Sequence, residues 1–270
     1  MSDVDRRLLV DALAPAQRAA FGPGEYVEQE SFVRASEILA LAVQAGIGPE
    51  ASVLDLCCGS GGPGRFIARE LGCLYLGVDA SDDAVAVAAE RAGGARCRFE
   101  AAKIPPLPPG TFDVVLLLET LLAFRDKGAL LEEVARALPP GGRFAFTLEE
   151  GEPLTEPERA RMPAADTVWL TPLDEVRTLL AEAGLAVRWE DDWSESHAEV
   201  AAALADAYTA DSAAIGSRIG RPALDELLAS HRLWSEWLAS GRARTFAFVA
   251  ERLPTDPVAA AARSGTRYAG

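Results

Sequence analysis

Residues 53–64 read Val-Leu-Asp-Leu-Cys-Cys-Gly-Ser-Gly-Gly-Pro-Gly. This is a short apolar run that breaks into glycine and leads toward the helical stretch 65–71. Strand, glycine turn and helix in that order open an α/β unit, and such a turn brings bare backbone up to a ligand. The alternation continues down the chain. Strands are expected at 52–56, 74–79, 96–100, 113–118 and 143–148, with helices at 64–71, 82–91 and 126–138 between them. Alternation of this kind makes a parallel sheet covered on both faces. A helix at 172–183 and strands at 185–192 and 245–252 complete a doubly wound, mostly parallel, seven-stranded α/β sheet.

The spacing Gly59-x-Gly61-x-x-Gly64, with Asp79 closing the second apolar run, satisfies a dinucleotide fingerprint as well as other nucleoside sites. Asp55 narrows the choice. It ends the first strand and faces whatever fills the turn, where the pyrophosphate of a dinucleotide would meet a repulsion of about a kcal/mol or more. S-adenosylmethionine has no phosphate and carries an ammonium and a sulfonium. Asp55 suits that cation, the turn with Cys57, Gly59 and Gly61 suits the methionine portion, and Asp79 can accept both ribose hydroxyls.

At these residues the chain resembles the class I S-adenosylmethionine-dependent methyltransferases of small-molecule type, over roughly residues 30 to 190. Leu54-Asp55-Leu56-Cys57-Cys58-Gly59-Ser60-Gly61-Gly62 is similar to the family's first motif, with Cys57 where a glycine is usual. Gly77-Val78-Asp79-Ala80-Ser81 is similar to the second, which implies Ala80 beside the adenine. Residues 99–108 and 110–115 resemble the third and fourth, and here Lys103-Ile104 stand where the family has an Asp-Ala pair. A lysine cannot accept the adenine amino hydrogen, so that contact is lost or passes to backbone. Pro139-Pro140-Gly141-Gly142-Arg143 resembles the turn into the fifth strand. The resemblance implies a lid over the cofactor at residues 21–30, between helices at 2–20 and 31–45, with Tyr26 and Gln29 as its contacts. It also places the end of the fourth strand beside the transferred methyl, and Glu119 there is a candidate for cofactor contact, acceptor orientation or proton removal.

The motifs leave residues 194–243 unexplained. Two to three helices interrupt the sheet there, and Leu224, Leu227, His231, Trp234 and Leu238 share one face of a helix at 222–240. An insertion in this position would cover the strand C-termini, where ligands of open α/β sheets bind, so a substrate cap is expected. Trp193, His197, Tyr208 and Trp234 are its candidate acceptor contacts. His231, one of only two histidines, is a candidate general base. Glu149 and Glu150, after the fifth strand, are further possible acceptor contacts. Methyl transfer from a sulfonium is an in-line displacement that needs alignment and, for a protonated acceptor, a base; it requires no metal.

The expected organisation is N-terminal helices and lid (1–45), cofactor-binding core (46–193), cap (194–243), last strand (244–253) and a flexible tail (254–270). A net charge of −15 with no basic block argues against nucleic acid as partner. No apolar run reaches a membrane span's length, so a cytoplasmic protein without a membrane partner is expected. The cation bias, with Lys103 and Lys127 the only lysines among 26 basic residues, suits a bacterial source. Cys57, Cys58, Cys73 and Cys97 lack C-x-x-C spacing and read as free thiols. The expected activity is methylation of a small-molecule acceptor at O, N or C, by a monomer or homodimer. The alternatives are an NAD-dependent oxidoreductase and a non-catalytic binding protein on the same fold.

Overall fold

A computed structural model of the chain describes residues 5–94 and 96–254. Seven strands, β1 (Ser52–Leu56), β2 (Leu74–Asp79), β3 (Cys97–Ala101), β4 (Val114–Leu117), β5 (Arg143–Glu150), β6 (Leu185–Asp192) and β7 (Arg244–Arg252), form one sheet in the order β3-β2-β1-β4-β5-β7-β6. The first five run parallel, and β7 lies antiparallel between β5 and β6. The expected doubly wound sheet is therefore present, with strand edges within two residues of the expected ones. The central strand β4 is buried along its whole length, as a strand covered on both faces must be.

Among the described residues ten helices surround it: α1 (Arg6–Phe21), α2 (Ala35–Gln44), α3 (Gly62–Leu71), α4 (Asp82–Glu90), α5 (Lys127–Ala137), α6 (Glu156–Arg161), α7 (Leu173–Glu182), α8 (Ser194–Ala210), α9 (Ser212–Ile219) and α10 (Arg221–Ser240). One core packs α5 and α7 on the sheet around Leu54, Phe144, Phe146 and Phe248. A second packs α2 and α3 on the opposite face around Val53, Tyr75, Leu116 and Val249. The helix starts are written in the sequence. The Ser81 hydroxyl accepts the Ala84 amide at the start of α4, and the Asp126 carboxylate accepts that of Ala129 at the start of α5, each supplying an acceptor that the helix itself lacks.

The cap is inserted between β6 and β7, where it was expected. Its partner was not foreseen: α1 packs on α8 and α9, with Leu9, Leu13 and Phe21 in one cluster with Leu204, Tyr208 and Leu224. The expected boundary at residue 45 thus divides nothing, because α1 joins the cap and α2 joins the sheet. The helix expected at 31–45 begins only at Ala35, where the Arg34 amide donates to the Glu37 carboxylate (2.8 Å) and fixes the start. Residues 149–171 carry the short α6 and a 3₁₀ turn at Ala165–Thr167. Except for Pro254, the expected tail lies outside the described residues. Among those residues no helix is long and apolar enough to cross a membrane, and all four cysteines are free.

Candidate active site

A cleft of about 230 Å³ opens over the C-terminal ends of β1, β2 and β4, next to the point where the sheet order reverses, the position at which doubly wound sheets bind ligands. Asp55, Cys57, Gly59, Gly61 and Asp79 all line it. The Asp79 carboxylate accepts the Gly59 amide through one oxygen and the Ser81 amide through the other, 2.9 Å each, and so fixes the turn. Cys57 has φ +58°. That left-handed conformation costs a non-glycine residue about 1–2 kcal/mol, which explains why glycine is usual at this place. Gly62 is required for another reason: a Cβ there would lie 2.3 Å from the Val27 carbonyl and 2.4 Å from that of Glu28.

The segment that presses on Gly62 is the expected lid, and ion pairs hold it down. Arg65 and Arg91 both pair with Glu28, and Arg6 pairs with Glu30, which also accepts the Ser60 hydroxyl at 2.5 Å. The lid contacts differ from those expected. Gln29 is 1% exposed, its carbonyl accepts the Val27 amide and its NH₂ donates to the Glu25 and Val33 carbonyls, so the lid's own backbone consumes this side chain. Tyr26 donates to Gln17 Oε1 (2.7 Å) and packs with the cap cluster beside Phe21. Glu28, Glu30 and Ser31 line the cleft in their place. Ala80, Lys103 and Ile104 do not line it either. Ala80 and Lys103 are exposed, and Ile104 packs toward the core at the start of a proline-rich, irregular connection.

The cleft is acidic. Burial pushes Asp55 up to about 7; the Tyr75 hydroxyl, hydrogen-bonded to it, lowers it and Asp79 raises it further. Glu28, Glu30, Asp79 and Glu119 add negative charge in this wall, against Arg6 as its one cation among the described residues. Burial also raises Cys57 to about 12 and Cys58 further, so both are held as neutral thiols.

A second cavity of about 430 Å³ lies beneath the cap. The expected apolar stripe of α10 faces it with Leu227, His231, Trp234 and Leu238, and α8 adds Tyr208. Four residues, Glu30, Ser31, Glu119 and Thr120, line both spaces and form their common wall. Glu119 sits there at φ +50°, a strained conformation for a non-glycine residue. It is held by its amide donating to Thr147 Oγ1 (2.6 Å) and by its Oε2 accepting the Phe32 amide (2.7 Å). Glu149, 6% exposed, lines the cavity with neither carboxylate oxygen hydrogen-bonded. Burial, then the charge of Glu119, raises it to about 8, although Lys127 opposes this. Lys127 is itself lowered to about 8 by burial, and it donates to the Phe124 and Trp169 carbonyls.

Two expected acceptor contacts lie elsewhere. Trp193 is buried in the core beneath the sheet edge, with its indole N–H donating to Asp191 Oδ2 (3.1 Å), and it does not reach the cavity. His197 is fully buried and lines neither cavity. Its Nδ1 is 3.1 Å from Glu119 Oε1 and its Nε2 is 3.9 Å from Glu37 Oε2. The nearer pair has ion-pair distance without hydrogen-bond alignment, since both atoms lack a hydrogen-bond partner. His197 thus stands behind Glu119. His231 does line the cavity, with Nδ1 3.0 Å from the Leu227 carbonyl and its pKa lowered by burial. Sequence reasoning did not find Phe32, Thr245 or the wall supplied by Met162, Pro163, Ala164, Thr167 and Val168. An irregular, proline-rich connection offers no periodicity from which to read a wall.

Residues 53–142 match the model of a methyltransferase domain family. Over 158 residues the chain is 34% identical to the 27-O-demethylrifamycin SV methyltransferase of Amycolatopsis mediterranei (strain S699), covering 53% of this chain and 57% of that protein. It is 35% identical over 103 residues to phosphoethanolamine N-methyltransferase 3 of Arabidopsis thaliana, covering 37% of this chain and 21% of that one. The chain therefore spans less than two thirds of the length of either relative. Among solved structures, Haemonchus contortus phosphoethanolamine N-methyltransferase 2, in complex with phosphomonomethylethanolamine and S-adenosylhomocysteine, superposes with a TM-score of 0.74 at 21% identity, over 91% of this chain and 61% of that one. Residues 53–142 are thus similar to a methyltransferase domain, and they set a glycine turn and two acids at the switch point of a sheet ordered 3-2-1-4-5-7-6, within a fold shared with that methyltransferase structure.

Proposed function

We propose that the protein transfers the methyl group of S-adenosylmethionine to a small molecule bound beneath the cap. The observation that carries this reading is the common wall: Glu30, Ser31, Glu119 and Thr120 separate a nucleoside-sized cleft from a larger, mostly apolar cavity. An in-line displacement needs a donor on one side of such a wall and an acceptor on the other, brought within contact distance. Asp79, fixed by two backbone amides, holds the ribose hydroxyls. The acids around the glycine turn face the ammonium and the sulfonium, for which their charge is suited and a pyrophosphate is not.

In this reading Glu119 orients the acceptor at the wall and His197 behind it positions that carboxylate. His231, Tyr208 and Trp234 contact the acceptor's body. The cap over the cavity favours a small molecule over a protein tail, and the excess of arginine over lysine is in keeping with a bacterial source. Calorimetric titration with S-adenosylhomocysteine tests the donor assignment. Tight binding that is lost in Asp79→Ala is expected, whereas binding of NAD in its place would overturn the reading.

A further inference from the structure

The cavity beneath the cap has an unusual floor. Its wall includes the carboxylates of Glu30, Glu119 and Glu149, and among the described residues no lysine or arginine lines it. Both oxygens of Glu149 and one of Glu119 lack a hydrogen-bond partner, and so does the hydroxyl of Thr245, which pairs with Glu149 across β5 and β7. Buried carboxylates left this way are costly unless something neutralises or bonds them. Burial has pushed Glu149 up to about 8, with Glu119 adding to the effect, so two acidic groups act on one another within this wall.

We propose that the acceptor is an amine, a molecule with an apolar body whose ammonium group sits between Glu119 and Glu149. This rests on the methyl-transfer reading above. An alcohol could satisfy one of the unpartnered oxygens but adds no charge to the acidic wall, whereas an ammonium offers several N–H donors and a positive charge that favours the ionised form of Glu149. The remaining walls fit such a ligand. Phe32 meets the His231 ring edge-on and the Trp234 ring at a tilt, with centroids 6.1 and 6.5 Å apart, and aromatic faces near the acids hold an alkylammonium by cation–π attraction as well as by area.

The same carboxylate serves the chemistry. The entering ammonium drives Glu149 into its ionised form, its proton leaving to solvent, and the carboxylate then takes one proton from the bound ammonium and so frees the nitrogen lone pair. That pair attacks the methyl carbon, the N–C bond forms as the C–S bond breaks, and the sulfonium keeps the electrons as a thioether. The product is a methylated ammonium with its positive charge restored, and the proton on Glu149 passes to solvent. A base with its pKa raised toward that of the amine is better matched to this transfer than an ordinary carboxylate.

The test uses the full chain and two probes of one shape, 2-phenylethylamine, protonated at pH 7, and 2-phenylethanol. Titrated into protein saturated with S-adenosylhomocysteine, the ammonium is expected to bind at least tenfold more tightly than the alcohol, and Glu149→Gln to reduce that ratio to near one. Equal or tighter binding of the alcohol to the wild type overturns the assignment without any variant, as does failure of both probes to bind. A ratio that survives in a folded Glu149→Gln protein removes Glu149 from the site. The same ratio is read without S-adenosylhomocysteine, so a protein that prefers the ammonium but never binds the donor product retains the amine site and loses the methyl-transfer reading.

Discussion

The donor cleft takes much of its wall from one stretch of chain, residues 55–63, with Asp79, the lid and the β4 end completing it. The cavity proposed to take the acceptor draws on α1, the lid, the turn after β4, the end of β5, the connection around α6, α8, α10 and the start of β7. The first is recognition by backbone: a strained turn, two amides on one carboxylate and a glycine on which the lid rests. The second is a wall of side chains that meet only when the whole molecule has folded. A donor common to many reactions can be held by a local motif, while the acceptor surface is free to vary because no single segment owns it.

The sharpest way to break this division is Asp79→Ala. The carboxylate accepts two amide donors already and is proposed to accept two ribose hydroxyls; charge-assisted bonds contribute about 1.5–3 kcal/mol each. A loss of S-adenosylhomocysteine affinity of about 100-fold or more is expected in calorimetry, with the ammonium-to-alcohol ratio in the cavity unchanged. A ratio that collapses with it would mean that the two sites are one structural unit. Gly62→Ala should have the next largest effect. The added Cβ would meet backbone carbonyls of the lid at 2.3 and 2.4 Å, so the lid must lift. The expected cost is about 1–3 kcal/mol in urea unfolding, together with weaker donor binding, and an unchanged donor affinity would show that the lid is not part of the cleft.

The buried acids give a pH test that separates the regions. Glu149 holds its proton more tightly when folded, at about 8 against an ordinary 4.5. Its contribution to stability is therefore fully present below about pH 4.5 and is lost as pH rises through about 8. Glu149→Gln should raise the melting temperature of the ligand-free protein at pH 8, by an amount on the order of 1 kcal/mol or more, and leave it nearly unchanged at pH 4.5. Asp55→Asn should do the same in the donor cleft over a lower window, from its ordinary 3.8 up to about 7. S-adenosylhomocysteine should abolish the Asp55 effect alone and 2-phenylethylamine the Glu149 effect alone. Cross-quenching would contradict two separate sites.

The same contrast explains what could be read from the chain. The strands, the turn, Asp55 and Asp79 follow from periodicity and spacing within some thirty residues, and the structure places them as read. The α10 stripe was also legible as one face, and it does meet the cavity. Gln29, Trp193 and His197 looked available because polar or aromatic residues near a site carry no mark of which way they turn. Gln29 is folded back on the lid's own carbonyls, Trp193 lies beneath the sheet edge and His197 stands one layer behind Glu119. Glu149 looked like one acid among 41. What sets it apart, two buried carboxylate oxygens without a hydrogen-bond partner, arises only when β5, β7 and the cap come together.

The smallest effect bears on the turn itself. Cys57 stands where the motif it resembles usually has glycine and yet adopts φ +58°, so Cys57→Gly would relieve a strain of about 1–2 kcal/mol. Against that, glycine loses about 0.5–1 kcal/mol more conformational entropy on folding, and the half-buried thiol gives up its packing on the core that contains Leu54 and Leu117. These contributions nearly cancel, and a change within about 1 kcal/mol of wild type is expected in the urea midpoint at constant m-value, with donor affinity within about threefold. If the turn recognises its ligand through backbone alone, removing this side chain leaves recognition intact. A loss of donor affinity beyond tenfold, with stability unchanged, would instead make the neutral thiol a contact of the ligand and would move part of the donor cleft to the side-chain mode of recognition that distinguishes the acceptor cavity.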